Sequence, residues 1–267
     1  MADSIVERKD GLVTFTFNRP DKKNAIGASI WAELDRVILE VSKNPDDRAL
    51  VLRGAGGNFS AGADLGGGLK GDEGKRGLTG GPPQAVIHEM RIVGDLINRL
   101  HRLAKPTLAV VDGVAMGVAL GIVLACDLAI ASDRAKFCEV FIKRGLALDG
   151  GTSWSLPRLI GLRRAKQLAF FGDMLSAQEA LAFGLLNQVV PVDELDALAD
   201  AWGRRLANGP TTAFGLIKRM LDESSGQSFE QATEDEARAQ HVAFTTSDMR
   251  EGIQAFLERR EPRFTGR

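Results

Sequence analysis

The sequence predicts an α/β fold, because short apolar runs with the character of strands alternate with segments of helical periodicity. The first run alternates apolar residues with threonine, as in a half-buried strand, and the later runs are continuously apolar, as in strands buried on both faces. Strands that alternate with helices favour parallel pairing in one sheet. The predicted strands cover residues 12–18, 48–54, 106–113 and 127–132.

The helices of this fold are indicated by the spacing of apolar residues and by capping signals. After the first strand, apolar residues recur at the 3.6-residue period of an amphipathic helix. They are Ile30, Leu34, Val37, Ile38 and Val41. Two later helices begin with a capping box, at Ser176 with Glu179 and at Ser228 with Gln231. We expect a strand-and-helix core over residues 1–205 and a helical region over residues 206–267.

Composition excludes several function classes. The 267 residues carry a formal net charge of −1, so no global attraction to nucleic acid or to anionic lipid is expected. The longest apolar stretch, residues 113–126, is too short to span a bilayer and favours a buried helix. The N-terminal segment is polar and lacks the apolar stretch of a signal peptide. With Cys126 and Cys138 expected as free thiols, we expect a cytoplasmic protein.

Residues 66–83 contain eight glycines and cannot form a regular element. Two interpretations stay open for this segment: a tolerated surface insertion, or a mobile lid beside a binding site.

Two stretches place small residues directly after a predicted strand. They read NFSAGADL, residues 58–65, and VDGVAMGVALG, residues 111–121. Small residues let backbone N–H groups approach a ligand closely, and the first N–H groups of a helix have no partner within it. Two such N–H groups from separate loops would form an oxyanion hole. Either stretch alone is more often explained by packing.

Taken in order, five motifs resemble the crotonase superfamily, the enoyl-CoA hydratases and isomerases. Besides NFSAGADL, they are FNRPDKKNAI, KPTLAVVDGVAMGVALGIVLACDLAIAS, LSAQEALAFGLLNQVVP and EGIQAFLERREPRFTG. The resemblance covers nearly the whole chain. It implies a spiral of ββα turns followed by a helical trimerisation region, a coenzyme A thioester as ligand, and a homotrimer or a dimer of trimers. Coenzyme A is then part of the substrate, and no further cofactor is expected.

The resemblance also implies residue roles. The oxyanion donors would be the N–H groups of Ala63 and Val118, which would hold the negative charge of a thioester enolate. The residues expected along the acyl-CoA ligand are Lys22, Ala25, Ala61, Asp64, Leu65, Gly117 and Phe141.

The chain departs from the hydratases of this family at two positions. Their two glutamates align with Gly121 and Phe141, so the usual pair for adding water to a double bond is absent. Some members without both glutamates carry an aspartate in the motif GL-x-P-D-x-GG and resemble the isomerases of phenylacetate metabolism. This chain has GLALDGG there, which makes Asp149 the candidate acid–base group. Glu139 is the competing acid, and an N-cap of a helix starting near Thr152 is the structural alternative for Asp149.

Three functions follow from this pattern. The favoured one is an isomerase that moves a proton within an unsaturated acyl-CoA. The others are a hydratase in which Asp149 activates water, and a member that binds acyl-CoA without chemistry. Apolar neighbours at Leu146, Ala147 and Leu148 are expected to raise the pKa of Asp149 by desolvation. No two histidines have metal-ligand spacing, so no metal is expected at His88, His101 or His241.

Overall fold

The computed structural model describes residues 2–65 and 83–267. The glycine-rich segment 66–83 lies outside these residues except for its last proline, so the choice between an insertion and a lid stays a prediction. The described part of the chain has a six-stranded sheet in the order β1-β2-β3-β4-β6-β9. Its strands are β1 Ser4–Lys9, β2 Leu12–Phe17, β3 Ala49–Gly54, β4 Thr107–Val111, β6 Leu128–Ser132 and β9 Gln188–Val190.

The sheet confirms the predicted α/β class and the four predicted strands. All neighbours from β2 to β9 pair in parallel, and only β1 with β2 is antiparallel. The sequence did not reveal β1, because an edge strand with one partner needs little apolar surface and most of its side chains are exposed.

The apolar run 113–126 contains the expected buried helix, but its first residues form a strand. Strand β5, Val114–Met116, joins a second sheet of three strands with β7 Lys136–Cys138 and β8 Leu175–Ser176. Helix α3, Val118–Ala125, follows and is buried over its whole length. Gly117 separates the two with φ 54° and ψ −125°, a conformation that L-residues rarely adopt.

Ten helices lie in the described residues. They are α1 Ala28–Lys43, α2 Pro83–His101, α3, α4 Thr152–Ile160, α5 Leu162–Phe171, α6 Ala177–Phe183, α7 Leu195–Ala207, α8 Thr211–Glu223, α9 Phe229–Ala243 and α10 Ser247–Glu258. The five periodic apolar residues of α1 are all buried, and both predicted capping boxes form, at the start of α6 and of α9.

The sheet is covered on both faces, which explains its continuously apolar strands. In β3, Leu50 and Leu52 face the core that includes α1, α2 and α3, whereas Val51 faces the smaller core beneath α7. Helix α8 is tied to the sheet by Lys218, whose Nζ lies 2.9 Å from Asp127. Asp127, directly after α3, therefore pairs with a basic group.

Both cysteines are free thiols. Among the helices of the described residues, none combines the length and the apolar character needed to cross a membrane.

Candidate active site

The two loops with small residues lie side by side. Ser60 donates its N–H to Val114 O at 2.9 Å, and Met116 donates its N–H to Ser60 O at 3.1 Å. Gly62 approaches so closely that a Cβ built on it would lie 2.6 Å from Met116 O. The loop after β3 and the start of α3 are therefore held together by backbone contacts, as an oxyanion hole from two loops requires.

A buried amide fixes the first of these loops. The side chain of Asn24 donates to Ala55 O at 2.8 Å and to Asn58 O at 2.6 Å, and accepts from the N–H of Arg19 at 2.8 Å. Ser60 Oγ in turn donates to Asn24 O at 2.7 Å. Asn24 is fully buried and has φ 57°, a left-handed conformation that asparagine tolerates better than most residues. The analysis of the sequence quoted the motif that contains Asn24 but gave this residue no role.

The N–H of Ala63 is oriented away from its loop. Ile26 and Ala63 form an isolated parallel bridge, in which Ile26 N–H donates to Gly62 O and Asp64 N–H donates to Ile26 O. No hydrogen bond from the Ala63 N–H is formed to any part of residues 2–65 and 83–267.

The N–H of Val118 is available for a different reason. Val118 is the first residue of α3, so no carbonyl lies one turn before it within the helix. The preceding glycine is packed closely: a Cβ on Gly117 would lie 3.3 Å from Val140 Cγ1 and 3.5 Å from the ring of Phe141. Phe141 is buried and supports the oxyanion loop from behind.

The loop that carries Asp149 packs on the start of α3. Gly150 and Gly151 both have positive φ, and a Cβ on Gly150 would lie 3.2 Å from Val118 Cγ2. A Cβ on Gly121 would lie 2.6 Å from Gly150 O, so the backbone of this loop occupies the space beside Gly121. A glutamate at position 121 would therefore displace the loop of Asp149.

Asp149 does not cap α4. The N-cap of α4 is Gly151, and Asp149 contributes only its carbonyl oxygen, which accepts from the N–H of Thr152 at 3.2 Å and from its hydroxyl at 3.0 Å. Within the described residues, Asp149 Oδ1 is buried without a hydrogen-bond partner. The N-cap alternative for the carboxylate is thus wrong, because the tight turn through Gly150 and Gly151 directs the side chain elsewhere.

Burial raises the pKa of Asp149 to about 6, the expected direction. Desolvation is the expected cause, but Leu146 is 52% exposed and Ala147 is exposed, so of the three apolar neighbours only Leu148 is partly buried. The packing of Gly150 onto Val118 and Gly121 also draws the loop of Asp149 into the protein.

Glu139 is a second buried acid in this region. It follows β7, it is 1% exposed, and neither carboxyl oxygen has a partner in the described structure. Burial, and secondarily the charge of Asp149, raises the pKa of Glu139 to about 8.

The residues predicted to contact coenzyme A border the same loops. Asp64 forms an ion pair with Arg19 at 2.9 Å, and Lys22 Nζ lies 3.7 Å from Asp64. Arg19 also donates to Ala25 O at 2.9 Å. Ala61, Ala63 and Leu65 continue this rim. Asp64 thus fixes its loop through Arg19, a contact that reaches across 45 residues.

A mainly apolar cavity of about 380 Å³ extends from the loop of Asp149 between α2, α3 and α4. Its lining includes Ile97, Gly121, Leu124, Gly150 and Trp154, with His101 at one side. A larger cavity, of about 590 Å³, lies between the end of α2 and α8, and no predicted site residue lines it.

His101 makes structural contacts. His101 Nε2 lies 3.7 Å from Asp222, and its ring meets Trp154 edge-on. In the ranges 2–65 and 83–267, no group of three or more metal-ligating side chains is placed to hold an ion.

Comparison with known proteins places this site in a family. The family model described as enoyl-CoA hydratase/isomerase matches residues 7–267. The chain is 36% identical to the 1,2-epoxyphenylacetyl-CoA isomerase of Escherichia coli K12, over 96% of each chain. It is 32% identical to the short-chain-enoyl-CoA hydratase of Clostridium acetobutylicum, over 96% of this chain and 95% of that protein.

A solved structure shows the same fold. The crystal structure of an enoyl-CoA hydratase/isomerase from Cupriavidus metallidurans CH34 matches with a TM-score of 0.90 and 31% identity, over 100% of this chain and 97% of that one.

The contact between Gly121 and Gly150 predicts the effect of a single methyl group. Gly121→Ala should lower the free energy of unfolding by about 1–3 kcal/mol, the usual cost of overpacking, because the new Cβ meets backbone rather than a flexible side chain. Gly94→Ala is the matched control, since a Cβ there meets nothing within 4 Å and alanine is the better helix former. Urea unfolding measures both variants. Equal stability of Gly121→Ala and the parent would contradict the close packing.

Proposed function

The chain belongs to the enoyl-CoA hydratase/isomerase family, and from this premise we propose that it moves a proton between carbon atoms of an unsaturated acyl-CoA. The observation that carries the proposal is Asp149, a carboxyl group with a buried oxygen that lacks a partner among the described residues and whose loop packs on Val118. A base beside free backbone donors suits the formation of an enolate.

In the proposed reaction, the carboxylate of Asp149 takes a proton from the carbon next to the thioester carbonyl. The electron pair of that C–H bond moves onto the thioester oxygen, where the N–H groups of Ala63 and Val118 stabilise it. As the enolate collapses, Asp149 returns the proton to the far end of the conjugated system, and the double bond shifts. Atoms and charge balance without water or a redox cofactor.

Isomerisation is favoured over hydration by the two positions where the family's hydratases carry glutamate. Gly121 has no room for a side chain, and Phe141 is buried against Gly117. Hydration needs a second group to orient water. Two other functions are the alternatives to isomerisation. In the first, the protein is a hydratase in which Asp149 alone activates water. In the second, it binds acyl-CoA without turnover.

We propose that the ligand lies along the same loops. We assign coenzyme A to the rim formed by Lys22, Ala25 and residues 61–65, where the half-exposed ammonium of Lys22 suits a phosphate. The cavity beyond Gly121 and Gly150 would take the acyl group, and its apolar lining fits a hydrocarbon chain or ring.

We also propose a homotrimer. Large apolar side chains are exposed on two separate parts of the single chain: on α9 and α10 with the turn between them, and on α5. They are Phe229, Phe244, Phe256 and Leu257 on the first, and Leu162, Phe170 and Phe171 on the second. Two different faces that cover each other form a heterologous interface, which generates a ring when the rotation between neighbouring copies closes.

The first prediction for this function concerns the product and Asp149. Given 2-enoyl-, 3-enoyl- and ring-epoxide-CoA, the protein should convert one of them into a product of the same mass.

Asp149→Asn keeps the shape of the side chain but removes the base, so turnover should fall by roughly 10²–10⁴ while acyl-CoA still binds. The parent's turnover should fall as the pH drops below about 6, because Asp149 then becomes protonated. Mass spectrometry, ultraviolet absorbance and calorimetric binding measure these effects.

Asp173→Asn, at an exposed acid after α5, is the control. A product heavier by one water would establish hydration instead, and binding without turnover of any of these compounds would establish the second alternative. Full turnover in Asp149→Asn would refute the role of this residue.

The second prediction tests the backbone donor. Proline is well tolerated at the first position of a helix, where the N–H has no partner within the helix, so Val118→Pro should keep α3 but remove the oxyanion donor. We expect a loss of roughly 10²–10³ in kcat, the effect of losing one such donor. Val118→Ala keeps the N–H and should be nearly as active as the parent. Equal kcat values for the proline and alanine variants would exclude the Val118 N–H as a donor.

The third prediction concerns assembly. Light scattering should give a mass of about three times the 28.7 kDa of one chain, or a multiple of that mass. Phe256→Glu places a charge on the exposed face of α10 and should shift the mass toward one chain, because an unpaired charge opposes burial in an interface. A monomeric parent protein would refute the trimer.

A further inference from the structure

Glu139 is unexplained by the proposed reaction. In the described residues, three buried side-chain oxygen or nitrogen atoms lack a hydrogen-bond partner: Oε1 and Oε2 of Glu139 and Oδ1 of Asp149. A buried carboxylate without a partner is costly, so such a group either becomes neutral or meets another polar group. All three oxygens belong to two residues whose charges interact.

The two acids flank the same pair of residues. The residues on either side of Glu139 both contact Gly117. The carbonyl oxygen of Cys138 accepts a hydrogen bond from the N–H of Gly117 at 2.9 Å, and the side chain of Val140 packs on Gly117. On the other side, Gly150 packs on Val118. The loops that carry Glu139 and Asp149 thus pack on two neighbouring residues, Gly117 and Val118.

No cation neutralises Glu139 in the part of the chain that the structure describes. Lys143 and Arg144 lie on the turn after it, and Asp173 lies beyond α5, but none of the three is hydrogen-bonded to its carboxyl group. Their charges act on the thiol of Cys138, whereas the one charge that shifts the pKa of Glu139 is that of Asp149.

We propose that Glu139 and Asp149 form a carboxyl pair that holds a single proton at neutral pH in the resting protein. Glu139 is the protonated member and keeps Asp149 in position as the ionised base. This inference rests on the proposed function, because it gives Asp149 the proton-transfer role. Glu139 is 1% exposed and acts through Asp149, so it is a positioning residue.

The chemistry of the pair is simple. The hydroxyl of neutral Glu139 can donate a hydrogen bond to the Asp149 carboxylate, which satisfies groups that otherwise have no partner. When Asp149 takes the substrate proton, the pair holds two protons, and it returns to one when that proton goes back to carbon. The protons of such a pair titrate in two steps that belong to both residues.

The pKa values of about 6 for Asp149 and about 8 for Glu139 place neutral pH between the two steps. Above about pH 8 the pair carries two negative charges. The second charge opposes the negative charge that develops on the enolate oxygen, so turnover should fall at alkaline pH.

The direct test is a carbon-13 NMR titration of the side-chain carboxyl groups in the protein without substrate. The parent should show two coupled steps. Asp149→Asn should lower the pKa of Glu139, because the neighbouring charge is gone, and Glu139→Gln should leave a single step for Asp149. Asp173→Asn, which removes an exposed charge, should keep both steps. A Glu139 pKa that is equal in the parent and in Asp149→Asn would overturn the pair.

Kinetics provide a second test. If only the singly protonated pair is active, kcat should fall about tenfold from pH 7 to pH 9, as expected for one group with a pKa of about 8. Glu139→Gln should lose this alkaline decrease, so that the ratio of kcat at pH 9 to kcat at pH 7 rises toward one. An alkaline decrease that persists in Glu139→Gln would overturn the positioning role.

Stability provides a check without substrate. A raised pKa in the folded state contributes stability that is fully present below the pKa of the unfolded chain and is lost as the pH rises through the folded value. The unfolding temperature of Glu139→Gln should therefore increase relative to that of the parent as the pH rises from 5 to 8.

The outcomes separate this proposal from the proposed reaction. Coupled titration without turnover of any enoyl-CoA would support the carboxyl pair and refute the reaction. Turnover without coupled titration would support the reaction and refute the pair.

Discussion

The arrangement of the site depends on the buried amide of Asn24. Its side chain joins the loop before α1 to the loop after β3, and its backbone carbonyl accepts the hydroxyl of Ser60. Ser60 then pairs with β5, which leads directly into α3. The residue Asn24, with its left-handed backbone, thus sets the relative position of the two loops that carry the proposed oxyanion donors. A buried network of this kind is specific only when every member is satisfied, as it is here.

The second constraint is close approach of backbone to backbone. Gly62 lies against Met116, and Gly121 lies against Gly150, at distances that leave no space for a Cβ. These contacts place the Ala63 and Val118 N–H groups and the Asp149 carboxyl in one region with few polar side chains. Because the proposed donor at Val118 is a main-chain N–H, its presence does not depend on the side chain at that position.

Much of this arrangement could be predicted from the sequence, but by unequal routes. The strands β2, β3, β4 and β6 and the capping boxes follow from local pattern, because burial on both faces and cap hydrogen bonds depend on near neighbours. Strand β1 was not predicted because it is defined by its pairing with β2 and not by a run of apolar residues. Asp149 was identified through its resemblance to the family motif GL-x-P-D-x-GG, whereas the residues that cover its loop lie about 30 positions earlier in α3 and could not be read from the local pattern. The role of Asn24 was missed for the same reason, because its contacts join distant loops.

The burial of Asp149 Oδ1 has a consequence for the charge that would move during the proposed reaction. An isolated anion in apolar surroundings is unfavourable, but the proposed proton transfer only moves one negative charge from Asp149 to the thioester oxygen. The net charge of the site stays constant, so desolvation raises the energy of both states and largely cancels between them. The two states differ in the hydrogen-bond donors that face the negative charge. Oδ1 of Asp149 has no donor among the described residues, whereas the enolate oxygen would have two fixed N–H groups. The transition state of the proposed reaction would therefore be stabilised relative to the ground state, because the two fixed donors would act on the enolate oxygen and not on the base. A second ionised carboxylate would oppose this stabilisation, so the proposed role of Glu139 requires that it keeps its proton.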